Sequence, residues 1–177
     1  YLLILLAVLG LLFLVSSHDL ILAYLAIELQ SLSFYVLAAF KRDSAYSTEA
    51  GLKYFILGAF ASGLILFGSS LIYGFTGTTN FEHLASLLLG NSQVHLNGST
   101  VLEIALVFLA AGFLFKLASA PFHSWVADVY EGAPTNSTAF FAIVPKIAVF
   151  VLFIRLFHYS FYSLVDCWQP IVLFSSA

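Results

Sequence analysis

The chain has 177 residues, of which 62% are hydrophobic and 8% charged, with a mean hydropathy of +1.03; an ordinary soluble domain carries roughly 25% charged residues, so a water-soluble globule is excluded and the solvent is lipid. Nine acids against six bases give a formal net charge of -3 and no basic patch, which sets nucleic-acid binding aside. A single cysteine, Cys167, closes no disulfide within the chain, and no spacing of Cys or His suggests zinc, haem or an iron–sulfur cluster.

A helix needs about 20 mostly apolar residues to cross the hydrocarbon layer, and several such runs, separated by short polar segments, predict an all-α, polytopic transmembrane bundle forming a single membrane domain over 1–177. The chain opens inside an apolar run at Tyr1, contains no methionine and shows no basic leader before a small-residue cleavage site. A split, processed or truncated piece of a longer protein is therefore expected. Hydropathy and breakers place a first helix over 1–17 and a second over 19–40, with Asp19 suited to cap it. After the charged loop Lys41-Arg42-Asp43-Ser44, a third helix is predicted over 48–73, with Glu49 in its first turn and the turn-forming Gly74 and Gly77 after it. Its Gly58, Ser62 and Gly63 suit close helix packing. The stretch from Thr76 to Thr100, rich in Gly and Asn and including His95, reads as the largest extramembrane loop, with an interfacial helix over Phe81 to Leu89. A fourth helix is predicted over 101–130, discontinuous near 118–121 at Pro121, and a fifth over 134–157. Another begins at 171–177, so further membrane helices are expected to follow or to belong to another chain. Alternation of the loops groups Lys41 and Arg42 with the turn from Asp128 to Pro134, opposite the loop 76–100 and Arg155; by the positive-inside tendency the Lys41 side faces the cytoplasm or a mitochondrial matrix.

Charges that cannot reach the interface carry the functional argument. Glu28 lies mid-way along the second helix, Lys116 inside the fourth and Lys146 near the centre of the fifth. Facing lipid, each would cost about 2.5 to 3.5 kcal/mol, so all three must face protein or water. Tyr24, Glu28, Ser31 and Tyr35 recur at spacings of four, three and four, which makes one polar stripe able to carry a water chain. Both lysines sit beside a proline. Pro121 cannot donate to the carbonyl of Leu117, and Pro145 frees that of Phe141, so helix breaks are expected at both, tolerated where they line a hydrated cavity or are buried in protein. If the helix resumed after Pro121, Lys116, Ser119 and His123 would share a face. Out of water a lysine's charged form is disfavoured and a nearby carboxylate restores it, so moving the partner toggles its hold on a proton. Bland readings stay open: a structural ion pair for Glu28, snorkelling for Lys116 and Lys146, snorkelling or an i to i+4 pair with Glu49 for Lys53, and an interfacial or packing role for His123. Asp128 and Glu131 are expected at the interface.

The runs Ala26-Ile-Glu28-Leu-Gln30-Ser-Leu, Ser47-Thr-Glu49-Ala-Gly-Leu-Lys53-Tyr-Phe-Ile-Leu-Gly58, Phe115-Lys116-Leu-Ala-Ser-Ala-Pro121-Phe-His123-Ser-Trp125, Asp128-Val-Tyr-Glu131-Gly-Ala-Pro134-Thr and Val144-Pro145-Lys146-Ile-Ala resemble subunit 2 of NADH:ubiquinone oxidoreductase, respiratory complex I. That family is antiporter-like and related to Mrp-type cation/proton antiporters. The resemblance implies that Glu28 pairs with Lys116 and that Lys146 heads a central hydrated path. The separation of the lysines, 146 minus 116 or 30 residues, fits the family's consecutive lysine-bearing helices. The chain departs from the family in having Ser124 where a Met is usual and Val126-Ala127 where Ala-Pro is usual, and nothing in it matches the family's second inverted repeat. Only the first half-channel is therefore expected here, the outlet coming from another segment or chain. The resemblance further implies no cofactor in this chain, with NADH, FMN, iron–sulfur clusters and ubiquinone belonging to other subunits. It implies other membrane-arm subunits and lipid as partners, and a multi-pass place in the mitochondrial inner membrane or, alternatively, a bacterial plasma membrane. The favoured reading is a proton-translocating, non-redox subunit of an NADH:ubiquinone reductase. An Mrp-type cation/proton antiporter and a structural anchor without a proton role are the alternatives, and an intramembrane hydrolase is excluded by the lack of any Ser/His or paired-Asp constellation at helix-facing spacing.

Overall fold

The computed structural model describes residues 1–90 and 99–176. The segment 91–98 of the predicted loop, with His95, lies outside them, as does Ala177 at the end of the last predicted element. Among the described residues the chain forms α1 (Leu2–Ser16), α2 (Leu20–Ala38), α3 (Ala45–Thr76), α4 (Phe81–Gly90), α5 (Ser99–Leu117), α6 (Ser124–Gly132), α7 (Thr135–Ile154) and α8 (Val165–Ser176). A π-helical segment, Arg155–Ser160, and a 3-10 turn, Tyr162–Leu164, join α7 to α8. Stretches 20–38, 45–76, 100–117 and 135–160 are long and apolar enough to cross a membrane. The apolar α1, with 15 residues, is shorter than the crossing predicted for it.

Capping explains where the helices start. Asp19 accepts a hydrogen bond from the Ile21 N–H at 2.8 Å, as its place before the apolar run predicts. At α3 the cap is Ser44, whose hydroxyl accepts from the Ser47 N–H at 3.3 Å, so the helix begins three residues before the predicted Thr48 and Glu49 stands beyond its first turn. The helix also runs through Gly74 and ends at Gly77, which takes the left-handed φ of 70° that glycine adopts without a Cβ penalty. Its 32 residues make it roughly 48 Å long at 1.5 Å per residue, more than the hydrocarbon core, so it tilts or projects.

The predicted fourth helix is two helices. α5 ends at Leu117; Ala118 adopts φ 60°, and the segment from Ala118 to His123 turns before α6 starts at Ser124. Pro145 corrects a prediction: α7 runs unbroken through it, so this proline sits inside a helix instead of ending one. The predicted 134–157 helix changes to π geometry at Arg155, and the last helix starts at Val165, earlier than 171.

Small residues let the helices close up. Gly68 of α3 faces the Ala105 carbonyl of α5, where a Cβ would stand at 2.7 Å, and Gly112 of α5 faces the Ala61 carbonyl at 2.9 Å. Gly58 is pressed against the Tyr35 side chain and Ser62 is buried, as predicted, but Gly63 meets nothing within 4 Å and points outward. The two ends of the bundle are tied separately. At one end the Ser47 hydroxyl donates to the Ala38 carbonyl at 2.7 Å, and Gly132 lies against the Tyr46 carbonyl and Ala50. At the other, Leu20 N–H donates to Thr79 O at 3.0 Å, Phe81 N–H to His18 O at 2.9 Å, the Ser160 hydroxyl to Phe81 O at 3.1 Å, and Arg155 to Val15 O. This is the grouping that loop alternation predicts.

Candidate functional site

The end of α5 is where the polar groups converge. Because the chain leaves α5 at Ala118, the carbonyl of Lys116 lacks the N–H that a continuing helix would supply from the residue at i+4. Lys146, reaching across from α7, donates its Nζ to that carbonyl at 3.0 Å. The break was predicted from Pro121 to free the carbonyl of Leu117; the carbonyl that takes up a lysine is its neighbour's.

The Lys116 side chain turns the other way, to α2. Its Nζ lies 3.0 Å from the Ser31 hydroxyl, 3.5 Å from the Tyr35 hydroxyl and 6.0 Å from the centre of the Tyr35 ring. Two members of the α2 polar stripe, Ser31 and Tyr35, therefore meet the lysine. The pairing with Glu28 is different in form. Among the described residues the carboxylate makes no ion pair with Lys116 within 4.0 Å, and its buried Oε1 finds no protein donor. A buried carboxylate oxygen without a donor is costly. Tyr24, one turn earlier, is half-buried on the same stripe.

Lys146 also stands over the indole of Trp125, 5.2 Å from the ring centre. The indole is 5% exposed, stacked on Tyr54 at 4.9 Å and on Phe115 at 5.2 Å, with Tyr130 edge-on at 6.4 Å. Its Nε1–H is buried and meets no protein acceptor. α6 is clamped to α3 by contacts at matching helical spacings. Gly132 lies on Tyr46 and Ala50, Asp128 accepts from Lys53 Nζ at 2.7 Å, and Trp125 stacks on Tyr54. Lys53 also holds Glu49 at 2.7 Å, the i to i+4 pair expected from sequence, in a half-exposed position.

Among the described residues, two predicted members make no side-chain hydrogen bond to either lysine. His123 precedes α6 and is exposed, because the turn after Ala118 carries it off the face of Lys116; the predicted shared face does not form. Ser119 lies in the turn, where its N–H donates to Leu114 O at 3.0 Å and its carbonyl accepts from Phe122 N–H at 2.8 Å. Local sequence pattern does not mark Trp125 and Asp128 as site residues. Their signal was the spacing 125, 128, 132 on a short helix set against 46, 50, 53 and 54 on α3, legible only once those helices are known to be neighbours.

Chemically, the site combines two amines, a carboxylate, two hydroxyls and an orphaned peptide carbonyl within the apolar bundle. The Ser31 and Tyr35 hydroxyls both donate and accept, so they can pass a proton, whereas the Lys116 carbonyl only accepts and can only anchor.

The chain has known relatives. Residues 17–177 match the family model described as NADH:quinone oxidoreductase/Mrp antiporter, transmembrane. The chain is 57% identical over 176 residues to NADH-ubiquinone oxidoreductase chain 2 of Marchantia polymorpha and 51% identical over 174 residues to NADH-quinone oxidoreductase subunit N of Rhodospirillum rubrum, covering 98% of this chain and 35% of each relative. Respiratory complex I from Thermus thermophilus contains a chain that superposes with a TM-score of 0.75 at 39% identity, covering 88% of this chain and 33% of that one. A chain of the Mrp complex from Dietzia superposes with a TM-score of 0.78 at 25% identity, covering 90% and 29%. The chain thus spans about a third of the length of the relatives it matches. Its helices, its site and these matches together make it a member of the NADH:quinone oxidoreductase/Mrp antiporter transmembrane family.

Proposed function

We propose that the chain forms the first half-channel of an antiporter-like, proton-translocating subunit in the membrane arm of an NADH:quinone oxidoreductase. The observation that carries this reading is the run from Lys146 Nζ to the Lys116 carbonyl, and from Lys116 Nζ to the Ser31 and Tyr35 hydroxyls. It joins three helices through ionisable and hydroxyl groups inside an apolar bundle, where such groups are expensive and mark proton or ion pathways. The higher identity with the complex I chain than with the Mrp chain favours a respiratory complex over a separate cation/proton antiporter. In this reading NADH oxidation, FMN, iron–sulfur clusters and quinone reduction belong to other subunits. The remaining length of the relatives corresponds to a segment or companion chain that supplies the outlet, and other membrane-arm subunits and lipid surround it. The membrane is the mitochondrial inner membrane, with a bacterial plasma membrane as the alternative.

The test is NADH-driven proton uptake in membrane vesicles containing the assembled complex, native against Lys146→Ala. Loss of pumping together with coupled quinone reduction is expected. Unchanged protons per electron in an assembled complex would remove the relay role and leave a structural anchor, while sodium-dependent transport without NADH would point to the antiporter.

A further inference from the structure

We propose that Trp125 is a positioning residue that holds Lys146 in place only while that lysine is protonated. The inference deepens the half-channel reading and rests on it.

Among the described residues, Lys146 has no carboxylate within ion-pairing distance. Its ammonium has the Lys116 carbonyl at 3.0 Å and the Trp125 indole at 5.2 Å from the ring centre. The two partners respond differently to the proton. An amine N–H can still donate to a carbonyl after the ammonium has lost its charge. The indole attracts through its quadrupole, which acts on net positive charge, and the contact falls inside the roughly 6 Å range of such interactions. Removal of the proton therefore cancels the ring's attraction and weakens the carbonyl bond, freeing the side chain to swing; return of the proton draws it back. Indole is also the strongest of the natural aromatic faces for this purpose, and Trp125 itself is buried, at 5% exposure.

The ring can act as a fixed seat because it cannot follow the lysine. Tyr54 and Phe115 stack on it with interplanar angles of 10° and 18°, and Tyr130 abuts it at 89°. Three residues further on, Asp128 locks α6 to Lys53 of α3, next to the Tyr54 on which the indole rests. Core packing alone would explain the stacks, but it does not require a cation over the ring.

Replacing the indole at position 125 alone by 5-fluoro-, difluoro- and trifluorotryptophan, in the assembled complex, weakens the ring quadrupole while nearly preserving its shape. Protons pumped per electron and coupled turnover should fall stepwise with fluorine number, by about tenfold in all. Trp125→Phe should retain an intermediate level and Trp125→Leu the least. A flat response across the fluorine series, with loss confined to Trp125→Leu, would reduce Trp125 to packing and overturn the proposal. Lys146→Ala in the same preparation separates the two ideas. If it abolishes pumping while the fluorine series is flat, only the positioning role falls. If it pumps normally, the half-channel reading falls and the positioning role with it.

Discussion

Gly68 and Gly63 stand five residues apart on α3, and exchanging each for alanine isolates the helix contact on which the bundle depends. A Cβ at position 68 would stand 2.7 Å from the Ala105 carbonyl oxygen and 3.1 Å from the Leu109 nitrogen, both backbone atoms of α5, whereas at position 63 it would meet nothing within 4 Å. No side-chain rotation can relieve a clash with backbone, so α3 and α5 must part by about 0.7 Å, the gap between 2.7 Å and the 3.4 Å at which ordinary contact begins. Overpacking of this kind costs about 1–3 kcal/mol. Both exchanges gain the same helix propensity, up to about 1 kcal/mol, so the difference between them is the steric cost alone. Gly68→Ala should therefore unfold about 1–3 kcal/mol more easily than Gly63→Ala when the full membrane protein is titrated with SDS in mixed micelles and followed by circular dichroism. Superimposable transitions for the two variants would refute the close approach of α3 and α5.

Ser31→Ala removes the nearer hydroxyl from the Lys116 ammonium. Since hydrogen bonds to charged groups are worth about 1.5–3 kcal/mol, NADH-driven proton uptake should fall at least about tenfold, and Tyr35→Phe, at the longer 3.5 Å contact, should do less; uptake at the native rate in Ser31→Ala would contradict the α2 contact. His123→Ala, at an exposed position, should leave uptake within about twofold of native, as surface substitutions usually do. A large loss with assembly intact would return His123 to the path.

Much of the architecture is legible without coordinates because lipid imposes simple rules. Apolar runs must be helices, Asp19 before such a run is a cap, and the four-three-four spacing from Tyr24 to Tyr35 makes one face whatever packs on it. What sequence left open depends on neighbours. Pro145 looks like a break, yet α7 passes through it with the proline buried. Gly63 and Gly68 look alike in a list of small residues, but only one faces α5. For Lys53 the local pattern leaves open snorkelling or a pair with Glu49 one turn away, and its second partner, Asp128, is 75 residues distant. His123 shares the face of Lys116 only if a helix resumes in line after Pro121, and the turn beginning at Ala118 breaks that line.

The acceptor that receives Lys146 belongs to a peptide bond. Replacing the Lys116 side chain, by arginine, methionine or alanine alike, erases one ammonium yet leaves that carbonyl standing, so substitution scans at position 116 report on a single lysine and are blind to the tie between the two. What the tie cannot survive is a change that straightens the chain at Ala118, because a continuous helix would consume the oxygen internally. The turn at Ala118 and the Lys146 side chain together make this contact.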